Sequence, residues 1–363
     1  MSEQALKSST ATLTLSFPWT TAQDKGQVRE VVEGVYWLRM PLPFALDHIN
    51  LYLLRHEHGW VVVDTGMATD AGRAAWEHVF VELFAGQPIL AVIVTHAHYD
   101  HSGLLGWLSE RFQCPTYMTF GEFHSLGIQG PDNDGPNWAF LQFYRRAGVA
   151  ESDINGMLAA LGKSVYQVDM PQGYRRLREG QMLRIGTRRW QVVIGAGHSP
   201  EHACLYCEED QLLISGDQVL PRITSSICIT VTEPDANPLG DWFASLRRLQ
   251  QLPDSVLVLP AHERPFRGLH LRLRQLRQHH DKHLEHLRSA LVQPLSAEQA
   301  RALLFPRVRN GFDHLMAMGE TLAHLNYLME EGAVRRELCE SVWRYCLVQG
   351  VVQPKGLPED IHL

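Results

Sequence analysis

The stretch Thr95-His96-Ala97-His98-Tyr99-Asp100-His101-Ser102-Gly103 places three imidazoles and a carboxylate within six residues. It follows directly on Ile89-Leu90-Ala91-Val92-Ile93-Val94, an apolar run that reads as a buried strand. Packing gives no reason for such a strand to end in clustered nitrogen and oxygen donors. Imidazole nitrogens and carboxylate oxygens are the groups from which hydrolytic zinc sites are usually built. The fold and the chemistry therefore turn on whether the rest of the chain supplies the missing ligands.

Other apolar strand-like runs end in the same way. Trp60-Val61-Val62-Val63 leads to Asp64, and Trp190 to Ile194 leads through Gly195-Ala196-Gly197 to His198. Leu212-Leu213-Ile214-Ser215-Gly216 delivers Asp217, and Val256 to Ala261 delivers His262. In α/β proteins binding sites lie at strand ends, where rigid elements hold polar side chains around a crevice. A single histidine after a strand is more often structural. His96, His98, Asp100, His101, His198, Asp217 and His262 taken together are too many donors for one tetrahedral zinc, and they suit two metals sharing a bridging carboxylate.

The composition is that of a globular protein: 363 residues, 45% hydrophobic and 20% charged, with a net charge of -7. The acidic balance disfavours nucleic acid as a partner. Met1 to Thr21 lacks the pattern of a signal peptide, and no apolar run reaches the roughly 20 residues of a membrane-spanning helix. Six scattered cysteines argue against a disulfide scaffold and for a cytoplasmic location. Cys204 and Cys207 lie in a strand-like run, where residues three apart point to opposite faces and do not converge on a metal.

Strands are expected over Val31–Met40 and Asn50–Asp64, with helices over Ala71–Phe84 and Gly103–Phe112. The aromatic residues between Pro131 and Leu161 (Trp138, Phe140, Phe143, Tyr144) suggest short helices that cover a cleft or bury one face. Strands return at Met182–Ile185, Trp190–Ile194, Ala203–Cys207 and Gln211–Ile214, then a helix over Trp242–Leu252 and a strand over Ser255–Leu259. This interleaving predicts a mixed α/β domain ending near Arg267. Beyond it, Leu269, Leu273, Leu276, His280, Leu284, Leu287 and Leu291 step as one long amphipathic helix. Its other face carries Arg272, Arg274, Arg277, His279, Lys282, His283 and His286. That face reads as solvated, although His279, His283 and His286 share one side and are spaced for a metal. Ala297–Leu304, Phe312–Tyr327 and Val334–Tyr345 complete a small, mainly helical unit. The expected division is an extension over 1–28, a catalytic domain over 29–267 and a C-terminal domain over 268–363.

The motif THAHYDHSG, with Asp64 before it and His198, Asp217 and His262 after it, resembles the metallo-β-lactamase-fold hydrolases, in the branch of glyoxalase II and the metal-dependent lactonases. That resemblance implies an αββα sandwich with the metals at one edge. It implies that His96, His98 and His198 hold the first metal, that Asp100, His101 and His262 hold the second, and that Asp217 bridges them. Asp64 would orient a ligand histidine from behind, a role that physics also expects of a nearby carboxylate. A common β-lactamase would carry Cys where Asp217 stands, a flavodiiron protein would carry Glu in place of His98, and there is no room between Asp217 and His262 for the long insertion of the nucleic-acid-processing members. Gly319 to Arg336 is similar to the winged-helix-like tail of some relatives, where His324 and Leu325 would lie on the recognition-type helix. From Leu295 to Leu363 there are 7 basic and 9 acidic residues, a balance that does not favour a phosphate-binding surface.

The expected activity is hydrolysis of a thioester, ester or lactone by a metal-bridging hydroxide at a pair of zinc ions; iron and manganese suit the same donors. Asp100 would take the hydroxide's proton and pass it to the leaving group. Tyr99 and His202 are candidate substrate contacts, His202 being equally suited to capping a strand. Arg222 is a candidate for binding a substrate carboxylate, against the default of a surface arginine. The expected partner is a small molecule, neither nucleic acid nor membrane, with homodimerisation left open. The competing functions are a nucleic-acid phosphodiesterase using the same metals and a non-catalytic metabolite sensor.

Overall fold

Two sheets form because two sets of apolar runs alternate with turn-formers, and each sheet has a helix layer against its outer face. The computed structural model describes residues 14–126, 138–161 and 170–348. The first sheet has seven strands in sequence order: β1 (Val28–Val32), β2 (Val35–Pro41), β3 (His48–His56), β4 (Gly59–Val63), β5 (Ile89–Ile93), β6 (Thr116–Met118) and β7 (Arg175–Arg176). Pairing is antiparallel from β1 to β4 and parallel from β4 to β7. The second sheet is ordered β12 (Leu257–Pro260), β11 (Leu212–Gly216), β10 (His202–Cys207), β9 (Arg188–Gly195) and β8 (Met182–Ile185). In it only β11 and β12 are parallel.

The period of two along each strand divides the core into layers. Tyr52, Leu54, Val61 and Val63 face the second sheet, where Trp190, Val192, Leu205 and Ile214 meet them. Leu51, Leu53, Trp60 and Val62 point the other way, onto α1 (Asp70–Glu82) and α3 (Leu105–Phe112) through Trp76, Val79 and Leu108. Trp60 stacks on Phe84 with ring centroids 4.7 Å apart. The outer face of the second sheet, with Val193, Tyr206, Leu213 and Val258, is covered by α7 (Pro238–Leu249), α8 (Leu269–Ala290) and α10 (Gly311–Glu330). This is the expected αββα sandwich. Trp190 is fully buried between the sheets, and its replacement by Ala would cost about 3–5 kcal/mol. Cys204 faces the helical layer and Cys207 the inter-sheet layer, so the two thiols diverge.

The helix expected over Gly103–Phe112 is α3, and a further single turn, α2 (Tyr99–Ser102), precedes it within the histidine motif. Two expectations need correction. Val334–Tyr345 is not helical: it belongs to a hairpin of β13 (Val334–Cys339) and β14 (Val342–Leu347), closed by Glu340 and Ser341, both at positive φ. Nor is the polar side of α8 fully solvated. Arg272 is buried, donating to the carbonyls of Leu220 and Ile223 at 2.5 and 2.7 Å, while His279 and His283 are half-buried. Within the aromatic segment, Pro131–Asn137 lies outside the described residues. α5 (Trp138–Arg146) and α6 (Glu151–Leu161) follow, with Phe140 and Tyr144 in the core and Trp138 exposed. Among the described residues no helix is long and apolar enough to cross a membrane.

Candidate metal centre

The C-terminal ends of β4, β5, β9, β11 and β12 meet at one edge of the sandwich, and each delivers a polar residue there. The backbone at these ends is unusual. Asp64 adopts φ 64° and Glu263, directly after His262, φ 69°. Such conformations are costly for residues with a Cβ and cluster at functional sites. Gly216 at φ 49° lies so close to His202 that a Cβ would sit 2.5 Å from its Nε2, and Gly197 at φ 105° lies as close to the Pro238 carbonyl. Both turns need glycine.

All seven expected ligands come together, in two groups. His96, His98 and His198 form one: His96 Nε2 lies 2.8 Å from His98 Nδ1 and 3.3 Å from His198 Nε2. Asp100, His101 and His262 form the other, with Asp100 Oδ2 at 3.8 Å from His101 Nε2 and 3.5 Å from His262 Nε2. Asp217 lies between them. Its Oδ2 is 3.5 Å from His198 Nε2, and its Oδ1 is 3.6 and 3.4 Å from His101 Nε2 and His262 Nε2.

The imidazoles are oriented from behind. His198 Nδ1 donates to the Ser226 carbonyl at 2.7 Å, and His262 Nδ1 to the His48 carbonyl at 2.9 Å. His101 Nδ1 donates to Asp64 Oδ2 at 2.8 Å. Each of these bonds leaves an Nε2 lone pair aimed inward, the usual arrangement behind metal-bound histidine. Asp64 also accepts from the Thr95 amide and hydroxyl at 2.7 and 2.9 Å, which ties β4 to the strand end carrying the motif.

These residues fit metal ions on structural grounds. His101 Nε2 and Asp217 Oδ1 are buried and have no hydrogen-bond partner. Orphaned polar atoms of this kind cost about 1–3 kcal/mol each. The separations of 3.3–3.8 Å are long for hydrogen bonds but match the spacing of donors around a cation bound at about 2.0–2.2 Å. Burial, then the neighbouring imidazoles, pushes His96 and His98 well below the usual histidine range, so both rings are neutral donors. Burial would also lower His101, but the surrounding carboxylates of Asp100, Asp64 and Asp217 hold it well above that range. Asp217 is the mirror case: burial would raise it, and His262 and His101 hold it well below the usual carboxylate range.

The other expected contacts divide. His202 is fully buried behind the centre, stacked on His96 at 4.8 Å, and its Nε2 accepts the Asp217 amide at 3.1 Å; it supports Asp217 and has no exposure to a substrate. Tyr99 is half-buried, its ring edge-on to that of exposed Phe44 with centroids 6.1 Å apart. Arg222 is exposed, with Nε 3.9 Å from Glu263 Oε2.

Two supporting residues escaped the sequence reading. Glu122, buried on α4 (Phe120–Leu126), accepts the Ala97 amide through Oε2 and the Glu201 amide through Oε1, both at 2.8 Å. One carboxylate thereby pins the loop carrying His96 and His98 to the loop after His198. Asn50 Nδ2 donates to the carbonyls of Pro260 and Glu263 at 2.9 and 2.8 Å, bracketing His262. Neither residue sits in a motif. The only hint was polarity amid apolar neighbours.

Two facing sheets with a two-part His/Asp centre at their shared edge define the class of a metallohydrolase. The metallo-beta-lactamase superfamily profile matches residues 45–262, and the chain belongs to that superfamily. The profile of the metallo-beta-lactamase-like C-terminal domain matches residues 284–348. The chain is 28% identical over 316 residues to the probable metallo-hydrolase YqjP of Bacillus subtilis, covering 83% of this chain and 94% of that one. It is 24% identical over 251 residues to a human acyl-coenzyme A thioesterase, covering 64% and 80%. Among solved structures, a beta-lactamase domain protein from Burkholderia ambifaria superimposes with a TM-score of 0.84 at 41% identity, covering 92% of this chain and 98% of that one.

Proposed function

We propose that this metallohydrolase cleaves thioesters by means of two divalent cations, zinc being the natural choice for the donor set. The observation that carries the reading is Asp217, whose two oxygens turn toward separate ligand groups. His96, His98 and His198 would hold one ion and Asp100, His101 and His262 the other. When bound, such a pair lowers the pKa of water toward about 7 and polarises a carbonyl. The thioesterase named among the relatives favours an acyl-coenzyme A thioester over the lactones and glutathione thioesters of the wider branch.

The chain's own contribution is positional. Asp64, Thr95 and Glu122 fix the motif loop, so the donors need no rearrangement on substrate arrival. Asp100 is the most exposed carboxylate of the centre, at 16%, and is placed to take the proton released by attacking water and return it to the departing thiolate. Phe44 and Tyr99 supply apolar surface beside it for an acyl chain.

The test is a panel of acyl-coenzyme A thioesters, glutathione thioesters and lactones offered to the zinc-loaded chain. Acyl thioesters should be preferred, with two zinc equivalents bound. Asp217→Asn should lower both metal content and turnover, the latter at least 100-fold. A preference for lactones, or full turnover after exhaustive metal removal, would overturn the assignment.

A further inference from the structure

A second set of donors lies away from the sheet edge, where α8 packs on α10. His279 and His283 are an i, i+4 pair on α8, and Glu320 and His324 are an i, i+4 pair on α10. Residues so spaced share a helix face, and here the two faces meet. Donor atoms of His283, Glu320 and His324 all lie within 4.8 Å of one another, as do those of His279, His280 and Glu320. The His279 and His283 rings are 4.6 Å apart between centroids, and those of His283 and His324 are 5.3 Å apart.

Packing alone accounts poorly for this cluster. His280 and His324 are fully buried, and His279, His283 and Glu320 are half-buried. His280 Nε2 and His283 Nδ1 are buried with no hydrogen-bond partner. His324 Nδ1 donates to the Glu320 carbonyl at 2.7 Å, so its Nε2 carries the lone pair, which accepts from His280 Nδ1 at 3.2 Å until a cation displaces that bond. That backbone anchoring matches the one behind the ligands of the sheet-edge centre. Glu320 has no ion-pair partner among the described residues, and burial pushes its carboxyl up to about 7. A carboxyl raised in this way is neutralised either by a proton or by a cation, and the imidazoles around it supply the donors for the latter.

We propose that His283, Glu320 and His324 form a second cation site, separate from the sheet-edge centre, that takes one divalent ion of the zinc class and clamps α8 to α10. Two imidazoles and one carboxylate, with water completing the shell, suit zinc, cobalt or nickel and disfavour magnesium or calcium, which want oxygen. His280 packs behind this set against His324. The half-exposure of His279, His283 and Glu320 gives the ion a route in. The site has a structural connection to the main centre: the Gly319 carbonyl, one residue before Glu320, accepts the Ile229 amide at 3.0 Å, in the segment whose Ser226 carbonyl orients His198.

The experiment uses the full-length chain with the sheet-edge centre disabled by His96→Ala, Asp217→Ala and His262→Ala. Titration with Co2+ should show one bound equivalent with the visible absorption of a four-coordinate ion. Adding Glu320→Gln, which keeps the side chain's shape, should weaken that binding at least 10-fold, and adding His283→Ala with His324→Ala should remove it. Should the disabled chain not fold, elemental analysis of the otherwise wild-type protein decides the matter: the zinc-loaded parent should carry one equivalent more than Glu320→Gln. No cobalt in the disabled chain, or equal metal content with and without Glu320→Gln, would overturn the proposal, and a cluster filled only by water would give that result.

Discussion

Replacing Glu122 by Gln keeps the side chain's size but exchanges one acceptor oxygen for an NH2 group. The Ala97 and Glu201 amides then compete for a single acceptor, and one is left buried without a partner. The expected cost is about 1–3 kcal/mol of stability, read by urea unfolding. Because the loop holding His96 and His98 loosens, cation affinity should also fall about 10–100-fold while KM stays within about twofold. Unchanged cation affinity would show that Glu122 serves folding only. The contrast between Glu122 and the seven donors explains what could be read from the chain at this scale. Four of the donors follow apolar runs and the other three share the motif with His96, so their chemistry stands out there. Glu122 acts on backbone amides, which every residue but proline carries, so its partners have no signature. His202 resembled a site residue because it lies four positions after His198. The alternation of β10 turns it inward instead, under the Asp217 amide.

Between elements, the charged network joining α9 (Ala297–Leu304) to α10 sets a pH response. Glu298 accepts from Arg301 at 2.6 Å and pairs with His314 Nε2 at 2.9 Å. Burial would raise its carboxyl, but these bonds outweigh burial and hold it below the ordinary value of 4.5. A lowered carboxylate contributes stability above its unfolded value and loses it as pH falls through the folded one. Glu298→Gln should therefore cost about 1–2 kcal/mol near neutral pH, and the gap to the parent should close below pH 4.5. A gap independent of pH between 7 and 3.5 would show that the charge is irrelevant. In the C-terminal hairpin, Ser341 sits at φ 71°, so Ser341→Gly should stabilise the fold by about 0.5–1 kcal/mol in denaturant titrations. That hairpin was missed because its short strands are interspersed with charged residues and carry no Asn-Gly or Asp-Gly turn. The long helix α8 was legible from its leucine spacing. Periodicity marks its polar face but cannot say which distant segment covers it, and α10, which does so, arrives only with Gly311.

Across the whole molecule, the candidate metal centre joins the two sheets. His96, His98, Asp100 and His101 follow β5 of the first sheet, whereas His198, Asp217 and His262 follow strands of the second. The backbone already spans this edge through the Ala203 amide on Thr95 at 2.8 Å and the Asn50 amide on Ala261 at 2.6 Å. Cations held from both sides would bind the folded chain far better than the unfolded one. At free zinc about 100-fold above Kd, the gain is about 2.7 kcal/mol, or about 3–4 °C in Tm for a chain of this size. The gain must depend on pH, because ligands have to shed protons before binding. His96 and His98, held low by burial and by their imidazole neighbours, offer no competition from protons. His101 and His262 do: their carboxylate neighbours overcome burial and hold both above the ordinary 6.5, so protons oppose the metal increasingly as pH falls. Melting curves with zinc and with chelator should therefore differ by several degrees at pH 7.5 and by clearly less at pH 5.5, with His101→Ala showing the smaller shift at both. An equal shift at the two pH values would mean that these imidazoles do not gate the metal, and no shift at either would remove the cations from the account of stability.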